Sequence, residues 1–262
     1  MVNDNCLEKI NVKECGSIEK LEANNRKLKY IIINSFEKEN YEYNMISDPI
    51  YGYKIEYLCN ELEALNKFTF ENDFDKVIQA GGLGELMVCS ILKMDLLSGT
   101  ATRGPDAILL DDSDLSYNLK AGRYQIKYCD DNVSDIRFRV DITTNDGDKK
   151  LFQKYAWDYL LIATHGTREK NNDKKDYSIK PVNFYAIPLK CAIRLSEDLN
   201  DEEDFKESNK GKNKYLEFRI NWTSIRKGKG NTGSKKNCIQ SKFRINLNET
   251  KFNDVRLVNR PK

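Results

Sequence analysis

The chain has 262 residues, of which 32% are charged, 39% hydrophobic and 10% aromatic. That is polar, yet too rich in Tyr, Phe and Ile for wholesale disorder, and the length suits one domain with embellishments rather than two independent enzymes. Residues 1–16 lack the basic-then-apolar order of a secretory leader, and no apolar run approaches the roughly 20 residues of a membrane helix, so the expectation is a soluble, cytoplasmic protein with no membrane partner.

Seven widely spaced cysteines without a CxxC pair argue against a disulfide framework and against a thiolate zinc site. His165 is the only histidine, which removes a multi-histidine metal site. The formal net charge of +2 conceals a division: residues 205–262 hold 16 Lys and Arg against 4 Asp and Glu, net +12, and the remainder carries −10. A basic surface for a polyanion, beside an acidic body able to hold divalent cations, is the expectation.

In chain order, residues 17–36 place Ile18, Leu21, Leu28, Ile31, Ile32 and Phe36 at approximately helical spacing, and Ile55, Leu58, Leu62 and Leu65 repeat it. Residues 1–75 therefore read as an N-terminal helical region, with a loop over residues 40–53. Gly81, Gly82 and Gly84 open a segment over residues 85–94 that is apolar on nearly every side, as in a buried helix, with Glu85 its conspicuous polar member.

Pro105 and Asp106 lead into a short apolar strand over residues 107–110, which a polar loop follows. Residues 123–129 (RYQIKYC) alternate, Tyr124, Ile126 and Tyr128 one way and Gln125 and Lys127 the other, so a half-buried strand presents a polar pair on its open face. A helix is predicted over residues 149–156, a buried strand over 157–164 and another over 184–187. Beyond an acidic run over 197–207, residues 215–221 and 242–247 read as strands flanking a Gly/Lys-rich stretch at 227–236.

This order predicts an α/β fold with a mixed central β-sheet flanked by helices: a core over residues 76–195 and a basic, β-rich extension over 196–262 packed with it. Gly228 to Gly233 spell GxGxxG, but an alternating strand pattern follows where a crossover helix would be needed, so no nucleotide cofactor is expected. Those glycines permit a mobile loop from which Arg226, Lys227, Lys229, Lys235 and Lys236 reach phosphates or groove edges of DNA. An exposed hairpin tip with no ligand is the competing reading.

Gln125 and Lys127 share a strand face about 7 Å apart. If this strand pairs antiparallel with the one that Asp106 opens, the three groups converge. Pro105-Asp106 followed by Gln125-x-Lys127 resembles the PD-(D/E)XK nuclease superfamily in the variant where glutamine replaces the second acid, as in some type II restriction endonucleases and the methyl-directed restriction family. The resemblance covers roughly residues 82–166 and implies a restriction-endonuclease-like core, double-stranded DNA as substrate, a homodimer, and Mg²⁺, with Mn²⁺ as substitute.

In that resemblance Asp106, the Gln125 amide oxygen and the Ile126 carbonyl are metal ligands, Lys127 positions the attacking water and offsets charge on the phosphate, and Glu85 holds a metal-bound water or a second ion. A hard cation prefers such oxygen donors. The competing functions are a modification-dependent or repair nuclease of the same fold, and a non-catalytic DNA-binding protein whose acidic cluster is structural.

Overall fold

A computed structural model describes residues 9–11, 30–32, 50–71, 81–98, 104–110, 119–145, 149–152, 157–166, 178–196, 205–207, 214–223, 242–247 and 249–259. In chain order the elements are β1 (Lys9–Asn11), β2 (Tyr30–Ile32), α1 (Gly52–Glu71), α2 (Gly81–Leu92), β3 (Asp95–Leu97), β4 (Ala107–Leu109), β5 (Gly122–Asp130) and β6 (Asp135–Asn145). Then come β7 (Lys149–Phe152), β8 (Tyr159–His165), β9 (Pro181–Pro188), α3 (Leu189–Ser196), β10 (Phe205–Glu207), β11 (Lys214–Asn221), β12 (Arg244–Ile245) and β13 (Leu257–Val258).

Among the described residues the strands form two sheets. The first is seven-stranded, ordered β12-β9-β8-β5-β4-β3-β13. It is mixed, because β5 and β8 run parallel while β3, β4 and β5 succeed one another antiparallel. The second is six-stranded, ordered β1-β2-β7-β6-β11-β10. The chain is thus α/β, with a mixed seven-stranded sheet flanked by helices.

Each face of the seven-stranded sheet has its own apolar layer, which is why β8 reads as a continuous hydrophobic run. On one face Met87, Val88, Ile91 and Leu92 of α2, with Ile55 and Cys59 of α1 beside them, meet Tyr124, Ile126, Leu161 and Ala163. On the other, Leu160 and Ile162 meet Phe138, Val140, Phe218 and Ile220 of the second sheet, Trp222 just beyond β11, and Ala192 and Ile193 of α3. Between the sheets the chain turns sharply after β5, where Asn132 N–H donates to Asp130 Oδ1 at 2.8 Å and Val133 N–H to the Asp130 carbonyl at 3.0 Å.

Helix α2 ends as its neighbours require. Lys93 takes a left-handed φ of 54°, and Met94 N–H reaches back to the Cys89 carbonyl at 2.9 Å, closing the helix and aiming the chain into β3. Near its other end, Gly84 lies so close to β5 that an added Cβ would come within 2.4 Å of the Tyr128 ring.

The C-terminal segment straps this layer down. Asn253 Nδ2 donates to the Ser90 carbonyl at 3.0 Å, Val255 exchanges backbone bonds with Ile50, and Arg256 grips the buried Asp95 carboxylate at 2.7 and 3.1 Å.

Several expectations differ from what forms. Tyr30–Ile32 is a strand parallel to β1 rather than part of a helix, and Lys149–Phe152 is a strand paired antiparallel with β6 rather than a helical start. Strand β11 and the short β12 do not flank one hairpin, since they belong to different sheets. Helix α1 and strands β4, β5, β8 and β9 fall where residue spacing places them.

Candidate active site

Asp106 stands immediately before β4, clamped by backbone on both sides. Its N–H donates to the Tyr124 carbonyl and its carbonyl accepts from Leu97 N–H, each at 2.8 Å. Because β4 pairs with β5 only as far as Tyr124, the next outward-facing donor on that edge, Ile126 N–H, has no strand partner; Asp106 Oδ2 accepts it at 2.8 Å. In an extended strand a residue's N–H and C=O point to the same edge, so the Ile126 carbonyl lies on the Asp106 side of β5 as well.

The start of β5 is pinned by a buried ion pair. Asp158 Oδ2 accepts from Arg123 N–H at 3.0 Å and from Arg123 Nε at 3.1 Å, with both side chains less than a tenth exposed. That double bond sets the register in which Gln125 and Lys127 follow.

Gln125 is not on an open face: it is 1% exposed. Strand β6 crosses over it, and its Nε2 donates to the Gly104 and Arg139 carbonyls at 3.4 Å each. With the amide nitrogen directed at two carbonyls, Oε1 is left buried and accepts no hydrogen bond. A buried acceptor in that condition costs about 1–3 kcal/mol.

Lys127, two residues on, is half-buried. Desolvation pushes its ammonium below the ordinary lysine range, and the Asp106 and Glu85 carboxylates pull it back up. Both carboxylates also act on Cys89, one turn beyond Glu85 on α2, whose thiol is pushed well up by burial and then by Glu85, Asp106 and Asp95. The fold therefore gathers Asp106, Gln125, Ile126, Lys127 and Glu85 around the end of the β4–β5 ladder. Arg226, Lys227, Lys229, Lys235 and Lys236 lie outside the described residues.

Among the described residues, no three His, Cys, Asp or Glu side chains are grouped to hold a metal. A cation here would instead depend on Asp106 supplemented by neutral oxygens, Gln125 Oε1 and the Ile126 carbonyl, with Glu85 nearby. Such a set suits a hard divalent ion that retains several waters. The unsatisfied Oε1 fits that role, because a cation supplies what no donor does.

Two contributors lie outside the motif. Arg139 lends the carbonyl that holds the Gln125 amide, and nothing local to either residue announces it. Asp158 precedes the apolar β8 run, where a lone carboxylate beside a buried strand was the available signal.

No helix among the described residues is long and apolar enough to cross a membrane. No family model matches the chain, and no curated protein matches it either.

Proposed function

We propose that the chain hydrolyses phosphodiester bonds of double-stranded DNA with Mg²⁺, as a type II restriction endonuclease-like enzyme of the PD-(D/E)XK superfamily in its QxK variant. The observation that carries this reading is the buried, unsatisfied Gln125 Oε1 on the strand that also bears Lys127, beside the anchored Asp106 carboxylate. The antiparallel pairing of β4 and β5 supports it, being the arrangement under which the three motif residues converge.

In this reading Asp106, Gln125 Oε1 and the Ile126 carbonyl would hold a divalent ion, whose chemistry when bound would be to acidify a water and to offset charge on the phosphoryl oxygen. Ile126 N–H holds the Asp106 carboxylate through Oδ2 at 2.8 Å. Lys127 orients the attacking water and offsets charge on the pentacovalent phosphate. Its half-buried position strengthens that interaction relative to water. Glu85, carried by α2, would hold a metal-bound water or a second ion.

A homodimer belongs to the same reading, supported by Tyr53, Tyr57, Leu58 and Leu65, which stand exposed along α1. A monomer in sedimentation velocity would remove that part alone. The activity itself is tested by digesting defined plasmids with and without Mg²⁺ and sequencing the ends. Discrete fragments with common ends, lost in EDTA, are expected. Intact plasmid at every metal concentration would overturn the reading.

A further inference from the structure

The outer face of the six-stranded sheet carries a charge pattern that sheet stability disfavours. Ile136 and Phe138 on β6, and Phe218 and Ile220 on β11, pack inward against the seven-stranded sheet. Alternation then turns Arg137, Arg139, Glu217 and Arg219 to the opposite side. The register sets Arg137 directly across from Arg219 and Arg139 directly across from Glu217.

Like charges opposite one another in a ladder are destabilising, and no packing requirement asks for arginine at two exposed positions. Carboxylates order two of the three guanidiniums. Arg219, 55% exposed, pairs with Asp135, and Arg139 donates through Nε and Nη2 to Glu217 Oε1 at 3.4 and 3.3 Å. Among the described residues Arg137 has no ion pair.

The face also adjoins the candidate active site. The Arg139 carbonyl takes the Gln125 amide, and the Arg139 charge opposes that of Lys127. Arg137 and Arg139 stand about 7 Å apart along β6, twice the roughly 3.4 Å rise per nucleotide of one DNA strand. Guanidinium forks at that spacing can each take a backbone phosphate.

We propose that Arg137, Arg139 and Arg219 on the outer face of the six-stranded sheet bind the phosphate backbone of duplex DNA. The inference rests on DNA being the substrate, but not on hydrolysis. It places backbone contacts on a rigid sheet, in addition to any made by the Lys-rich stretch at 227–236.

The test is equilibrium binding of a fluorescent random-sequence duplex, in EDTA, across a range of salt. Arg137→Gln and Arg219→Gln should each lower the slope of log K against log salt by about 0.9, and the double variant by about twice that. Arg137→Lys should keep the wild-type slope, and Lys190→Gln, an exposed lysine on α3, should leave it unchanged. Equal slopes for wild type and the double variant, or no duplex binding by the wild type, would overturn the inference. A lowered slope in a protein that cleaves nothing with Mg²⁺ would uphold the surface and remove the nuclease reading; cleavage with an unchanged slope would do the reverse.

Discussion

Gln125 concentrates the chemistry of the account in a single amide oxygen. The alternation of residues 123–129 makes the shared face of Gln125 and Lys127 legible from the chain alone, but not the burial of that face. The strand that covers Gln125, β6, follows a sharp turn and belongs to another sheet, so no local pattern announces it. If Oε1 is a metal ligand, replacing its dipole with a full charge should strengthen the site. Gln125→Glu is expected to lower the half-saturating Mg²⁺ concentration about tenfold, roughly 1.4 kcal/mol, and Gln125→Ala to raise it similarly. Without metal the Glu variant should also be the less stable protein, since its new carboxylate is buried among carbonyls, and Mg²⁺ should restore it. Metal titration at fixed DNA checks this; an unchanged half-saturation in both variants would show that Gln125 is not a ligand.

Elements, rather than individual residues, set the distances around that oxygen. Helix α2 approaches β5 as closely as it does because Gly84 has no side chain against Tyr128, and Glu85 is the next residue along. An alanine would ordinarily stabilise a helix interior by up to about 1 kcal/mol. At Gly84 the collision outweighs that gain, so Gly84→Ala should destabilise by about 1–3 kcal/mol and shift Glu85 outward. Urea denaturation reads the first effect; a variant as stable as wild type would mean that α2 is not in contact there.

The C-terminal strap makes a pH-dependent prediction at the same scale. Burial raises the Asp95 carboxyl above its ordinary value of 3.8, and Arg256 holds it down. Arg256→Met removes that restraint, so the variant's folded state favours the protonated acid still more. Its deficit of about 1–2 kcal/mol should be full near pH 7 and shrink as pH falls through the raised folded pKa. Denaturation at pH 7 and pH 4.5 checks the sign; a deficit that grows on acidification would contradict it.

Strands proved harder to read than helices where their partners lie far off. The residues 149–152 (KKLF) are too few to display a period, although Asp146-Gly147 just upstream is a hairpin signal that favours the strand actually formed. Tyr30–Ile32 likewise lies in a β-branched run whose parallel partners are remote in sequence.

At the scale of the whole molecule, the two sheets divide the labour. The seven-stranded sheet carries Asp106, Gln125 and Lys127 at the end of the β4–β5 ladder, and the six-stranded sheet closes over Gln125 while turning arginines outward. The charge division along the chain anticipates a polyanion, but it points to the C-terminal stretch and gives no hint that β6 and β11 pair arginine with arginine. That pairing exists only in the register.

In the proposed function Asp106 and Lys127 act as one metal-dependent hydrolytic site. Single-turnover cleavage of a plasmid at saturating Mg²⁺ tests it most directly. Asp106→Ala and Lys127→Ala should each slow cleavage at least 100-fold, about 2.7 kcal/mol of barrier, while folding like the wild type. Cleavage by either folded variant at the wild-type rate would contradict it.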